Sequence, residues 1–384
     1  MNDVSSAAFH HSNAPSLHHR RALLGSLFPL SLALCLSTFA AASWRVETIA
    51  GTGVAGHEGD GGPAKAAQLN HPFGVVRGPD GCIYFCEIDG GVVRKIDAKG
   101  ILTTIAGTGQ KLPLGDGGPA LQAALSQPHE IRFDRHGDLF IADTGNQRVR
   151  KIAFKTGLIS TIAGSGKGGF SGDGGPATNA TFKAPISIQF DAQGDLLICD
   201  IGNHRVRKVE MKTGIISTIA GTGLRAPTPD GAAYRESPLF GPRSLDCDRA
   251  GNIWVALRDG NQLFKLDPKS GLITHVAGTG KSGFTGNGGP AKLATLSGPK
   301  GLAISPDGNR VYLADAESNS IRMVDLQSGL IEVVCGTGKK GDGPDGAAAA
   351  CQVARPHGIF AEADGTLLLS DSYANRIRVI RPAP

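Results

Sequence analysis

Six equivalent positions, one in each of six similar segments, carry side chains of unusually varied chemistry. Each position follows a proline that opens a short stretch of alternating apolar and polar residues. The six residues are Phe73, His129, Ile186, Arg243, Lys300 and His357. Two imidazoles, a guanidinium and an ammonium group could bind an anion or a carboxylate-bearing ligand if the fold brings them together. We therefore predict that His129, Arg243, Lys300 and His357 bind a ligand.

The elements that must position these residues follow from an internal repeat. Residues 161–177 read TIAGSGKGGFSGDGGPA, and related copies begin at Thr48, Thr104, Thr218, His275 and Val333. The first Ile or Val of each copy lies at position 49, 105, 162, 219, 276 or 334, so the copies are 56 to 58 residues apart. A repeat of this period indicates a solenoid, a propeller or another array.

The unit that starts at Pro128 shows the strand pattern. Residues 128–134 alternate, residues 139–143 form an apolar run that ends in Asp143, residues 148–152 alternate again, and residues 158–163 close the unit. Turns rich in Gly, Asn and Asp separate these stretches, which is typical of antiparallel strands. Six such units, with first strands at Pro72, Pro128, Pro185, Pro242, Pro299 and Pro356, predict an all-β, six-bladed β-propeller of four-stranded antiparallel blades.

The two ends of the repeat region predict how the ring closes. Residues 44–51 match the fourth strand of a unit and have no first three strands before them. Residues 375–380 match a third strand that has no fourth strand after it. The N-terminal strand can therefore complete the last blade and leave no exposed edge.

Several motifs resemble a known repeat. The segments DTGNQRVRK (143–151) and DIGNHRVRK (200–208), each after an apolar strand, look like the NHL repeat, and the TIAGTG…GDGGPA variant resembles its bacterial and teneurin-type members. The resemblance covers about residues 44–381 and implies the propeller fold. It implies little about function, since propellers of this kind serve as binding modules, sensor domains and enzymes.

Two readings of the function follow. The first is a non-catalytic binding module, with no cofactor and no metal, that binds a protein, peptide or saccharide. The ligand would bind on the loop face, which we define as the face formed by the loops between blades and by the turns between second and third strands. The alternative is a channel-centred metal-dependent lyase or hydrolase, like the amidating lyase or the lactonases that this class of propeller resembles. The resemblance implies three histidines for zinc, whereas only His129 and His357 stand at the equivalent positions, so we predict no catalytic residues and no metal site.

Acidic residues recur at two further positions. Asp60, Asp116 and Asp173 lie in the glycine-rich loops, where one carboxylate per loop is too few for calcium. The acids at the ends of the second strands, Asp143, Asp200, Asp315 and Asp371, precede Arg-x-Arg strands, so we predict that they have a structural role. The fourth unit departs most from the pattern, because Leu257 replaces the acid.

The first 42 residues have the pattern of a secretory signal. Arg20 and Arg21 precede an apolar run, which is followed by small residues at positions 40–43. We predict a signal peptide at 1–42, a single propeller domain at 43–384, and a secreted or periplasmic monomer without a membrane span after cleavage. Two Arg and one Asp precede residue 43, so the chain's net charge of +5 falls to +4 without them, which gives no support to nucleic-acid binding.

Six cysteines follow the predicted leader. Cys86 and Cys199 stand where other repeats have Ala, as does Cys335. A thiol in place of a buried Ala behaves as a small core side chain, so we predict free cysteines. A disulfide between Cys335 and Cys351 remains an alternative to this prediction.

Overall fold

The computed structural model describes residues 43–110 and 115–383, which form six antiparallel β-sheets arranged as the blades of a propeller. The predicted fold class is confirmed. Short turns rich in Gly and Asp join the strands of each blade, and the first strands of neighbouring blades pack against one another around the central channel. The predicted leader, residues 1–42, lies outside the described residues and stays a prediction.

The strands alternate in direction within every blade. Blade 1 contains β2 (Pro72–Arg77), β3 (Ile83–Glu87), β4 (Val92–Ile96) and β5 (Leu102–Ala106). Blade 2 contains β6 (Pro128–Phe133), β7 (Leu139–Asp143), β8 (Arg148–Ala153) and β9 (Leu158–Ala163). Blade 3 contains β10 (Pro185–Phe190), β11 (Leu196–Asp200), β12 (Arg205–Glu210) and β13 (Ile215–Ala220). Blade 4 contains β14 (Pro242–Cys247), β15 (Ile253–Leu257), β16 (Gln262–Asp267) and β17 (Leu272–Ala277). Blade 5 contains β18 (Pro299–Ile304), β19 (Arg310–Asp315), β20 (Ser320–Asp325) and β21 (Ile331–Cys335).

Blade 6 is built from both ends of the propeller. It contains β23 (Ile359–Ala361), β24 (Leu367–Asp371) and β25 (Arg376–Pro382), and its fourth strand is β1 (Trp44–Ala50). The strands β1 and β25 pair antiparallel from Trp44 opposite Pro382 to Ala50 opposite Ile377. A short strand, β22 (Gly346–Ala347), adds to the outer edge of β1. The predicted closure of the ring by the N-terminal strand is therefore confirmed.

One predicted boundary is wrong. The first strand of blade 6 begins at Ile359 instead of Pro356. The other five first strands change register just after their opening proline, and here residues 356–358 lie outside the regular ladder. Pairing persists across this segment, because His357 N donates to the carbonyl oxygen of Ser370 at 3.1 Å.

Two sets of one-turn 3₁₀ helices flank the strands in the described part of the chain. Those in the loops before first strands are Ala64–Ala66, Ala120–Gln122, Ala177–Asn179, Ala291–Leu293 and Ala348–Ala350. Those after second strands are Thr144–Asn146, Ile201–Asn203, Ala316–Ser318 and Ser372–Ala374. No helix in the described ranges is long and apolar enough to cross a membrane.

The hydrophobic core lies between neighbouring blades. Each of six clusters joins apolar side chains from adjacent blades, for example Phe140 of blade 2 with Ile188 of blade 3. The six cysteines after residue 43 are free thiols, and four of them are buried. Cys335 and Cys351 belong to the same cluster, where the hydrogen bond with the Cys351 thiol, together with burial, raises the pKa of Cys335.

Candidate functional site

The channel mouth brings five of the six predicted ring residues close together, while Ile186 packs in the apolar cluster between blades 3 and 4. Phe73 stacks on the imidazole of His357, with ring centroids 3.9 Å apart and planes inclined by 22°. His129 meets the same phenyl ring edge-on, with centroids 4.9 Å apart. Arg243 and Lys300 both act electrostatically on His129 and His357, so the four predicted ligand-binding residues face one site. Their role in binding a ligand stays a prediction.

The residue before each first-strand proline positions the ring. It adopts a left-handed conformation in all six blades: His71, Gln127, Ala184, Gly241, Gly298 and Arg355. In five blades its N–H donates to a side chain of the preceding blade, as when Gly298 N donates to Asn261 Oδ1 at 2.8 Å and Arg355 N to Asn319 Oδ1 at 3.0 Å. These contacts fix where each first strand enters the mouth. The sequence analysis missed them, although a polar residue recurs after the Gly-Asn turn.

Both histidines are held as neutral acceptors. His129 Nδ1 lies 3.0 Å from the carbonyl oxygen of Gln127, and His357 Nδ1 lies 2.8 Å from that of Arg355. A carbonyl oxygen accepts, so each Nδ1 carries the proton and each Nε2 keeps its lone pair. Burial, together with Arg243 and Lys300, lowers the pKa of His129 to about 3 and that of His357 well below its usual value.

Lys300 and Arg243 differ in their counter-ions. Lys300 Nζ lies 2.6 Å from Glu317 Oε1, and burial still lowers the pKa of Lys300 to about 8. Arg243 is only 4% exposed, and no direct ion pair or side-chain hydrogen bond reaches its guanidinium from residues 43–110 or 115–383, although Glu130 acts on it electrostatically. Burial lowers the pKa of Arg243 to about 10, which leaves it charged at neutral pH. A buried, charged group without a partner is costly, so it suggests a site kept for an incoming anion.

A second layer of charges lies below the ring. Glu130 Oε1 pairs with Arg132 Nη1 at 2.5 Å. At the far end of the same strands, Gln189 Nε2 donates to Asp246 at 2.6 Å, and Arg132 and Asp246 line a cavity of about 190 Å³ at the opposite mouth. Glu130 is thus already paired with Arg132. It is also the charge that does most to raise the pKa of Arg243, against the lowering effect of burial.

The strand-end acids form a repeated charge cluster within the blades. Each accepts a backbone N–H from the loop before its own blade's first strand, for example Ser126 N to Asp143 Oδ1 at 2.7 Å. Each also faces a buried Arg of the third strand, at N–O distances of 3.3 Å for Asp143, 3.6 Å for Asp200, 3.7 Å for Asp315 and 2.8 Å for Asp371. The loop acids Asp116 and Asp173 bind two of these arginines at 2.7 to 2.8 Å, and Asp60 binds the equivalent arginine of blade 1, Arg94, at 2.7 Å. These contacts are what a structural role requires.

Blade 4 has lost this cluster. Leu257 stands at the acid position and Phe264, on β16, at the arginine position, and both are buried in one apolar cluster. The backbone N–H of Phe240, which would have faced the acid, donates instead to Thr228 Oγ1 at 3.2 Å. The chain therefore fills these two positions with an acid and an arginine in the blades described above, and with two apolar side chains in blade 4.

No group of three His, Cys, Asp or Glu side chains in the described ranges is placed to hold a metal ion. The two histidines of the ring meet around Phe73, and His71, one residue before Pro72, pairs with Asp89 at 2.6 Å instead of joining them. The geometry therefore adds no third ligand to the pair that the sequence offered for the metal-dependent alternative.

The neutral state of His357 predicts a pH-dependent stability. An unfolded chain takes up a proton at His357 near pH 6.5, whereas the folded chain does not, so folding stability is lost as the pH falls below that value. When the pH falls from 7.5 to 5.5, protonation of His357 in the unfolded chain should lower the free energy of unfolding by about 1.4 kcal/mol. Urea unfolding of wild type and His357→Gln at both pH values measures it. The exposed His136→Gln variant serves as the control, and equal losses in wild type and His357→Gln would contradict the neutral assignment.

The fold and the mouth define the class of protein: a six-bladed β-propeller with a charged ring at one end of its channel. The profile of the teneurin NHL domain matches residues 45–114, and that of the NHL repeat matches residues 125–152. In these two segments the chain is similar to the NHL-repeat family.

Curated relatives share the propeller at moderate identity. NHL repeat-containing protein 2 of Gallus gallus is 28% identical over 286 residues, which cover 66% of this chain and 38% of that protein. SUPPRESSOR OF QUENCHING 1 of Arabidopsis thaliana is 27% identical over 280 residues, covering 70% of this chain and 26% of its own length. The chain thus matches well under half of these relatives. An auxiliary nutrient binding protein of Bacteroides thetaiotaomicron has the same fold, with a TM-score of 0.65, 15% identity, and coverage of 88% of this chain and 76% of that one.

Proposed function

We propose that the protein is a non-catalytic binding module whose ligand docks on the loop face and presents an anionic group to Arg243. The observation that carries the proposal is the buried guanidinium of Arg243, with which no carboxylate of the described residues forms a direct ion pair, Glu130 acting on it only at longer range. Lys300, His129 and His357 surround the same point and offer one further donor and two acceptors.

The loop face suits a larger partner around this point. Tyr373, which is 40% exposed, continues the stack outward from His357, and Arg355 and Lys340 lie over its ring at 4.8 and 5.3 Å. An aromatic platform with cations beside it can contact a peptide or a saccharide. The leader-like sequence at 1–42 supports a ligand outside the cytoplasm.

Binding of lactate, with lactamide as its uncharged counterpart, tests the proposal. Isothermal titration calorimetry should detect binding of lactate to the wild-type chain and should detect no binding of lactamide. Arg243→Met should weaken lactate binding at least about tenfold, because a hydrogen bond between charged groups contributes about 1.5–3 kcal/mol.

Arg249→Met is the matched control. Arg249 follows the same strand at the opposite mouth and is exposed, so its loss should leave lactate binding unchanged. Equal binding of lactate by wild type and Arg243→Met, or no binding by either, would overturn the proposal.

A further inference from the structure

The mouth contains one carboxylate that two cations share. Glu317 Oε1 lies 2.6 Å from Lys300 Nζ and 2.5 Å from Arg355 Nη2. Below it, Arg132 is paired with Glu130, and Asp246 lies close enough to act on both Glu130 and Arg132. Arg243 itself forms no direct ion pair with the described residues, and the nearest acid that acts on it, Glu130, is bound to Arg132.

The turn that carries Glu317 does not need an acid for its own folding. The equivalent residues of the six blades are Asp89, Gly145, Gly202, Asp259, Glu317 and Tyr373. The same 3₁₀ turn forms around Gly145 and Gly202, so its backbone does not depend on a carboxylate. Glu317 is 41% exposed while its partner Lys300 is 8% exposed, so the carboxylate covers a buried cation from the solvent side. Glu317 thus supplies the carboxylate that Lys300 and Arg355 both contact at the mouth.

The histidines specify the atoms next to the ligand's acidic group. Both Nε2 atoms are acceptors, and no donor from the described parts of the chain reaches either one. A ligand hydroxyl can donate to them, whereas a second carboxylate would face two lone pairs. Five of the six ring residues are buried and His129 is partly exposed, so a small head group can enter beside His129, with the rest of the ligand lying over Tyr373.

We propose that the mouth selects a hydroxylated monocarboxylate and that Glu317 is an internal counter-ion that excludes dicarboxylates. The ligand's carboxylate binds Arg243, and its hydroxyl donates to Nε2 of His129 or His357. This inference rests on the proposed function. Two sources share the chemistry, namely a free 2-hydroxy acid and a uronic-acid unit of a saccharide.

Calorimetry with three matched acids tests the selectivity. Wild type should bind lactate at least about tenfold more tightly than propionate, which lacks the hydroxyl, and than malate, which adds a second carboxylate. Glu317→Gln releases Lys300 and Arg355 and should improve malate binding about tenfold while changing lactate binding little. Glu332→Gln, on the outer strand β21, is the control and should change neither ratio.

The outcomes separate the two proposals. If lactate binding depends on Arg243 but malate binds as tightly as lactate, or Glu317→Gln leaves their ratio unchanged, the selectivity is wrong and the binding function stands. If no acid binds, or binding is independent of Arg243, both proposals fail. Tighter binding of oligogalacturonate than of lactate by wild type, abolished in Arg243→Met, would support the inference and assign the saccharide source.

Discussion

Asp143→Leu should lower the free energy of unfolding by about 3–5 kcal/mol, the cost of leaving a buried charge without its partner. In the folded chain Asp143 is fully buried, and the guanidinium of Arg150, itself 1% exposed, lies 3.3 Å away. Asp116 would remain beside Arg150, but it is about half exposed and cannot replace the lost carboxylate inside the blade. The backbone N–H of Ser126 would lose its acceptor as well.

Asp143→Leu/Arg150→Phe should recover part of that loss. Blade 4 already packs Leu257 and Phe264 at these two positions, so the apolar pair fits this architecture. The double variant still leaves Ser126 N without an acceptor, whereas Thr228 supplies one in blade 4. We therefore expect a remaining deficit of about 1–3 kcal/mol.

A double-mutant cycle measured by urea unfolding checks both numbers. The matched control is Asp138→Leu, which removes the acid that pairs with Lys151 at 3.0 Å on a partly exposed turn and should cost about 1 kcal/mol or less. A double variant no more stable than Asp143→Leu would show that the charges are required and that apolar packing cannot replace them.

Arg243→Met should raise the free energy of unfolding by about 1–3 kcal/mol, although it removes the central residue of the proposed binding site. A buried donor without a partner costs about this much, and more when it carries a charge. Methionine fills a similar volume, makes no demand for a counter-ion and adapts to irregular packing. Sites kept for a ligand commonly cost stability in the free protein.

Thermal and urea unfolding without added carboxylate measure this effect. Lys300→Met should not stabilise the chain in the same way, because it leaves Glu317 with one cation fewer. A decrease in stability for Arg243→Met would mean that the guanidinium holds the blades together, which would remove the argument that Arg243 is kept for an anion. Lactate at saturating concentration should stabilise wild type and not Arg243→Met.

The fold was predictable because the same pattern of strands and turns recurs in six units. Alternating apolar residues, turns at fixed offsets and a constant period agree with one another, and the unmatched strands at residues 44–51 and 375–380 allow only one closure. The start of β23 escaped this reasoning, since the proline at 356 resembles those of the other blades while its hydrogen bonds are irregular.

The ring positions were predictable for the same reason, but their charge states were not. The register placed His129, Arg243, Lys300 and His357 together from the sequence alone. Glu317 extends from a turn in the same blade as Lys300 and pairs with it, whereas Arg243 has no direct partner. This difference depends on how far the Glu317 side chain reaches, which the repeat pattern does not show. The neutral form of the histidines depends on carbonyl oxygens two residues earlier, which the left-handed residue before each proline directs.

The pairing of Trp44 with Pro382 has a consequence for how the propeller can be tethered. The third strand β25 begins beside Asp371 at the channel mouth and ends at Pro382 at the other side, where β1 starts. Both ends of the propeller therefore leave from the side away from Arg243. A propeller immobilised through a residue beside Trp44 or Pro382 should therefore present its mouth, and the proposed binding site, to a soluble ligand.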